Sequence, residues 1–147
     1  MVTSATPLTA VRAALAGALC ALLWTSSALA APAASNAETP KAYRMDAAHH
    51  IYASFPEHIY KGKLPPLVHA IVVMEVDVGA DGQVRDIHMI RTPSHAPEVT
   101  AAVKQMIQSV SPLPAPMRMA GGTKYMDVWL VDKSGRFQLD TLTEGQR

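Results

Sequence analysis

The sequence predicts a small α+β domain, an antiparallel sheet of three to four strands with two helices packed on one face, in the order α-β-β-α-β. Three observations predict it. An alternating apolar run over residues 68–78 is followed by the turn Gly79-Ala80-Asp81-Gly82 and a second run over 84–91, the pattern of a hairpin. Val99, Ala102, Val103, Met106, Ile107 and Val110 then recur at helical spacing. A third alternating run spans Tyr125–Val131. The 147 residues allow one compact domain plus an extension and exclude a large multi-domain enzyme. A net charge of +1 removes the electrostatic basis for nucleic-acid binding, which requires a basic face.

Residues 1–30 read as a signal peptide. Arg12, the one charged residue among them, precedes the apolar run Ala13–Trp24, and Ala28-Leu29-Ala30 supplies the small residues of a cleavage site. The run is well under the roughly 20 residues that span a bilayer. Membrane contact is expected only if this segment is retained. Cys20, the single cysteine, leaves with it. The exported domain then has no disulfide, thiolate metal site or cysteine nucleophile, and its fold depends on its core. Residues 31–50, alanine-rich with Pro32 and Pro40, read as a flexible leader.

The domain is expected over 51–140, with 141–147 as a tail. Ser54-Phe55-Pro56-Glu57 fits a capping box with proline in the first turn. Ile51, Phe55 and Ile59 recur every four residues, and Gly62 is a stop, so a first helix is predicted near 55–61. In the first strand Val72, Met74, Val76 and Val78 share a face opposite Glu75 and Asp77. The irregular order Ile87, Met89, Ile90 predicts a bulge in the second. Pro97 suits a helix start, with Ser94 as its cap, and Ser111-Pro112-Leu113-Pro114 ends that helix. Arg136–Leu139 adds a short fourth strand after the Lys133-Ser134-Gly135 turn.

Nothing in the sequence spells out an active site. His49, His50, His58, His69, His88 and His95 show no HxH or HExxH spacing, so no metal ligand is assigned. Ser94, His95 and Glu98 lack the G-x-S-x-G turn of a hydrolase, and Gly121-Gly122 lacks the lysine and helix of a phosphate loop. No cofactor, catalytic residue or metal is expected.

The chain resembles the C-terminal domain of the TonB/TolA group of periplasmic proteins. The residues that carry the likeness are Phe55-Pro56, similar to that family's Tyr-Pro start, and the strand Val72–Val78. Asp81-Gly82-Gln83-Val84 matches the D-G-x-V hairpin, and Ser111-Pro112-Leu113-Pro114 the proline exit of TolA-like members. The likeness covers roughly residues 51–131. It implies a non-catalytic periplasmic module that adds an extended segment of a protein partner, typically an outer-membrane transporter, to a sheet edge. The physics of the edge is independent of the family: unpaired N–H and C=O groups accept a further strand. Tyr125–Val131 is the candidate edge, with Tyr125, Asp127, Val128, Trp129, Val131, Phe55 and Pro56 as partner-binding residues. Met126, Val128 and Leu130 are expected to pack inward, which turns Trp129 outward as a contact anchor. Two alternatives accompany this expectation: a membrane-anchored TonB-type energy transducer if residues 11–30 remain, and a small periplasmic metal-binding protein or hydrolase using His58, His88 or His95. A homodimer is a further possibility.

Overall fold

A computed structural model describes residues 33–146, so the signal-peptide reading of residues 1–30 lies outside the described residues. The elements are β1 (Ala34–Ser35), α1 (Pro40–Ser54), a 3₁₀ turn (Pro56–His58), β2 (Ala70–Val78) and β3 (Val84–Arg91). They continue with α2 (Pro97–Ser109), β4 (Ala115–Pro116), β5 (Thr123–Val131), β6 (Phe137–Leu139) and a closing 3₁₀ turn, Asp140–Leu142. Four strands form an antiparallel sheet in the order β3-β2-β5-β6, while β1 and β4 make a separate parallel pair. The α+β class with two helices on a mostly antiparallel sheet is therefore observed.

The first helix is not where the sequence places it. It occupies Pro40–Ser54, inside the segment read as a flexible leader and its junction with the domain. Thr39 caps it by accepting from the Ala42 amide at 3.2 Å, and Pro40 stands at its first position, where a missing N–H costs nothing. Its buried stripe is Tyr43, Ala47, Ala48 and Ile51, each with no exposed surface. Two of these four are alanines, so the stripe is thin in sequence yet brings the helix close to the sheet. The expected capping box at Ser54 falls at the helix's end: the Ser54 hydroxyl donates to the His50 carbonyl at 2.8 Å, and Phe55 is the C-cap. The segment predicted as helix 55–61 is a single 3₁₀ turn.

The hairpin and second helix lie where the sequence puts them. Gly82 makes the turn possible, since its φ of 81° is left-handed and an added Cβ would overlap the Leu113 carbonyl oxygen. The Leu113 amide donates to the Gly82 carbonyl at 2.8 Å, which ties the turn to the proline-rich exit of α2. α2 buries Val103 and Ile107, but its N-cap is Ala96 and no hydroxyl or carboxylate caps it, so Ser94 does not play that part. Register shifts beside Val73 and Val78 give the irregularity expected in β3.

The two faces of β5 are reversed relative to expectation. Tyr125, Asp127, Trp129 and Val131 point into the core, and Met126, Val128 and Leu130 line the opposite face. Trp129 has no exposed surface and lies opposite Val72 across the β2–β5 ladder, against Phe137 with ring centroids 4.4 Å apart. Rings of this size remove more surface from water than Met, Val or Leu, so the helix-covered face takes Trp129 and Tyr125.

Candidate functional site: the free sheet edge

Among the described residues the longest stretch of strand with a ladder partner on one side only is β3, ahead of Thr123–Val128 of β5, which pairs with β2 alone. β2 is paired along its whole length with β5, and β5 is paired again at Trp129–Val131 with Phe137–Leu139 of β6. The outer side of β6 is occupied too, because Ile59 bridges Phe137 and the Tyr60 amide donates to the Phe137 carbonyl at 2.9 Å. β3 lies at the end of the strand order and has a ladder partner on one side only. Its open side faces α2 across a polar groove of about 410 Å³ lined by Gln83, Arg85, Asp86, Lys104, Gln108 and others.

This edge is managed rather than bare. The Val84 amide donates to the Ser111 hydroxyl at 3.1 Å and the Ile87 amide to the Asp86 carboxylate at 2.8 Å. Side-chain oxygens thus hold two of the outward amides, a means by which native edges avoid pairing with stray strands. The turn below is fixed by Asp81, which accepts from the Gln83 amide at 3.0 Å and pairs with Arg85 at 2.8 Å. These contacts, led by the Gln83 amide bond, hold the Asp81 carboxyl below the ordinary aspartate range.

The residues expected to bind a partner are dispersed. Tyr125, Asp127, Trp129 and Val131 are sealed in the core, and Val128 is half-buried on the open sheet face. Phe55 is half-buried at the end of α1, edge-to-face with His58 at 6.0 Å, and Pro56 is exposed in the 3₁₀ turn. None of them lies on β3; the expectation that Tyr125–Val131 offers the edge is overturned at Trp129–Val131, which β6 pairs, and the side chains of Tyr125 and Asp127 are buried, while Tyr125–Val128 pairs with β2 alone among the described residues.

Asp127 has a different role. Its carboxylate, fully buried, accepts from Arg44 at 3.0 Å, from the Tyr125 hydroxyl at 3.0 Å, and from the Val128 and Thr141 amides at 2.9 and 3.3 Å. One acidic group therefore joins α1, β5 and the closing 3₁₀ turn. Burial, and then the neighbouring carboxylate, push the Tyr125 phenol well above its ordinary value. Partial burial lowers the Arg44 guanidinium, but the Asp127 bond and charge outweigh it, and the net shift is upward. The pair is 83 residues apart in sequence, so no local spacing could have shown it.

On the open face, Lys124 bonds Glu75 and lies 3.4 Å from Asp77, while His88 lies 3.4 Å from Asp77. The other histidines are similarly occupied or scattered: His50 contacts the Val110 carbonyl at 3.3 Å and His95 the His69 carbonyl at 2.7 Å. Among the described residues no group of three His, Cys, Asp or Glu side chains is placed to hold a metal, and no helix is long and apolar enough to cross a membrane. Comparison with family models, with characterised proteins and with solved structures finds no match to this sequence.

Proposed function

We propose that this protein is a non-catalytic periplasmic interaction module of the TonB kind, which takes an extended segment of an outer-membrane transporter or a related partner alongside β3. The observation that carries the reading is the edge itself: β3 runs eight residues with no strand among the described residues on its outer side and a groove beside it. An incoming strand supplies carbonyls to the outward amides, replacing the Asp86 and Ser111 oxygens that hold Ile87 and Val84. The exchange of one hydrogen bond for another costs little net free energy, so the caps discourage stray pairing without closing the edge. The partner class comes from the likeness of the Asp81-Gly82-Gln83-Val84 hairpin and the proline exit to the TonB/TolA group.

Titration with synthetic copies of extended transporter segments, followed by backbone amide NMR, tests this. Shifts should run along Val84–Arg91 and vanish when the peptide is N-methylated at alternate amides, which removes ladder donors and leaves side chains unchanged. Shifts elsewhere, or binding indifferent to N-methylation, would overturn strand addition. N-terminal sequencing of the exported protein checks the location: a start at Ala31 supports a free periplasmic protein, and an intact residue 1 supports an anchored one.

A further inference from the structure

Residues directly opposite one another on neighbouring strands share a face, so a strand added to β3 has each side chain committed to one side of the sheet. The two sides of β3 differ in charge. Val84, Ile87 and Met89 lie on the covered side, half-buried and packed against the core, while Arg85, Asp86 and His88 are exposed and leave the strand open to approach. Beside Val84 and Ile87, the groove of about 410 Å³ is walled by Lys104 and Gln108 of α2. These two are four residues apart, so they project from one side of the helix, and both are exposed. Neither side chain has a hydrogen-bond or ion-pair partner among the described residues, whereas Arg85 in the same groove is held by Asp81 at 2.8 Å. The one acidic residue at the rim, Asp86, is already occupied: its carboxylate accepts from the Ile87 amide at 2.8 Å and lies 3.5 Å from His88.

The open side is acidic instead. Asp86 stands opposite Asp77 in the β2–β3 ladder, and His88 opposite Glu75. The nearest cation on that face, Lys124, is committed to Glu75 and Asp77. A carboxylate on an added strand next to Asp86 meets a like charge, with Asp77 behind it, which is destabilising at cross-strand distance. Moved by one residue, the same carboxylate turns to the covered side. There it meets the Lys104 ammonium and the Gln108 amide, two donors without acceptors.

We propose that the β3 edge selects an extended partner segment with an acidic side chain on the residue beside Ile87, turned toward α2, where Lys104 and Gln108 hold its carboxylate. The backbone of β3 aligns the segment and the helix reads its charge. This inference rests on strand addition at β3 and goes beyond it, because backbone pairing alone does not distinguish one side-chain charge from another.

The test uses the full exported protein and three short peptides of alternating valine and threonine whose central residue is glutamate, glutamine or lysine. Dissociation constants come from backbone amide shifts along Val84–Met89, with the Gln108 side-chain NH2 as a second readout. At low salt the glutamate peptide should bind about fivefold tighter than the glutamine peptide, the scale of a partly exposed ion pair, and the lysine peptide should bind weakest. The Gln108 NH2 resonances should shift most with glutamate. Lys104→Glu should reverse the order, and Lys104→Ala should leave the three peptides about equal. Lys133→Glu makes the same change of net charge at an exposed turn residue and should leave the order as it is. Equal binding of the three peptides to the unaltered protein, a glutamate preference that survives Lys104→Glu, or a reversal produced by Lys133→Glu as well would each overturn the acid preference and leave strand addition standing. No shift along Val84–Met89 with any of the peptides would overturn both.

Discussion

The two faces of the sheet are built from the same strands and do opposite work. On the covered face, Val72, Met74, Val76, Tyr125 and Trp129 meet Tyr43, Ala47 and Ile51 of α1 and Val103 and Ile107 of α2 in one continuous core. On the open face, Ile71, Val73, Val128 and Leu130 are half-buried, Met126 is 47% exposed, and Glu75, Asp77 and Lys124 are charged. Alternation places residues on two faces with equal clarity and leaves open which face the helices take. The difference teaches that ring size and helix placement decide the covered side, more than the count of apolar residues.

Truncating each face is the most direct way to break that comparison. Trp129→Ala removes a fully buried ring and should cost about 3–5 kcal/mol, a large fraction of the stability of a domain this size. Val73→Ala on the open face removes two half-buried methyl-sized groups and should cost about 1 kcal/mol or less. Urea midpoints with unchanged m-values measure both. Similar losses at the two sites would mean that the open face is covered in solution.

A smaller effect separates apolar burial from the single buried charge on the covered face. Arg44→Ala leaves the Asp127 carboxylate without its cation and should cost about 3 kcal/mol. Adding Asp127→Asn should recover a large part of the loss, because the amide oxygen still accepts from Val128 and Thr141 while its NH2 group donates to the Tyr125 hydroxyl. A double variant no more stable than Arg44→Ala would place the cost in lost packing of the arginine stem instead. The Arg44–Asp140 contact at 3.5 Å joins a more exposed partner, and Asp140→Ala should change stability by less than about 0.5 kcal/mol.

How far the sequence could be read follows from these same residues. β2, β3 and α2 were legible because each has a strong local signature: an alternating run, a glycine turn, a proline start and a proline stop. α1 was hidden although Thr39-Pro40 is a good helix start, since alanines at 47 and 48 look the same in a linker as on a closely packed helix. The Ser54–Glu57 capping pattern and the four-residue spacing of Ile51, Phe55 and Ile59 competed with it and drew the helix too far along the sequence. On β5, Asp127 among the aromatic set argued for a solvent face, and only its pairing with distant Arg44 makes burial tolerable. The edge at β3 depends on strand order, which local pattern does not encode.

The pH dependence of stability sharpens the comparison last and most finely, because the two faces titrate under different conditions of screening. Tyr125, Tyr43 and Tyr52 on the covered side all have phenol pKa values raised above 10, with burial the leading cause. A raised folded value means stability is fully present below the unfolded pKa and lost as pH climbs from about 10 upward. Lys124 on the open face is raised as well, chiefly by its Glu75 bond, so it adds to the same alkaline loss. At the acid end, desolvation is the largest single influence on Asp77 and pushes it up, but the bonds and charges of His88 and Lys124 together outweigh it and the net value is lowered. A lowered folded value contributes stability that is present above the unfolded pKa of about 3.9 and lost as pH falls through the folded one. Lys124 is exposed and Asp77 half-exposed, so salt screens their interaction, whereas the phenols are shifted by burial, which salt does not relieve. High salt should therefore flatten the acid slope and leave most of the alkaline slope in melting temperatures measured from pH 2 to 11. Asp77→Asn should remove part of the first slope at low salt only, and Tyr125→Phe part of the second at any salt. An alkaline slope that disappears in salt would assign it to Lys124, and would place the pH response of both limbs on the open face.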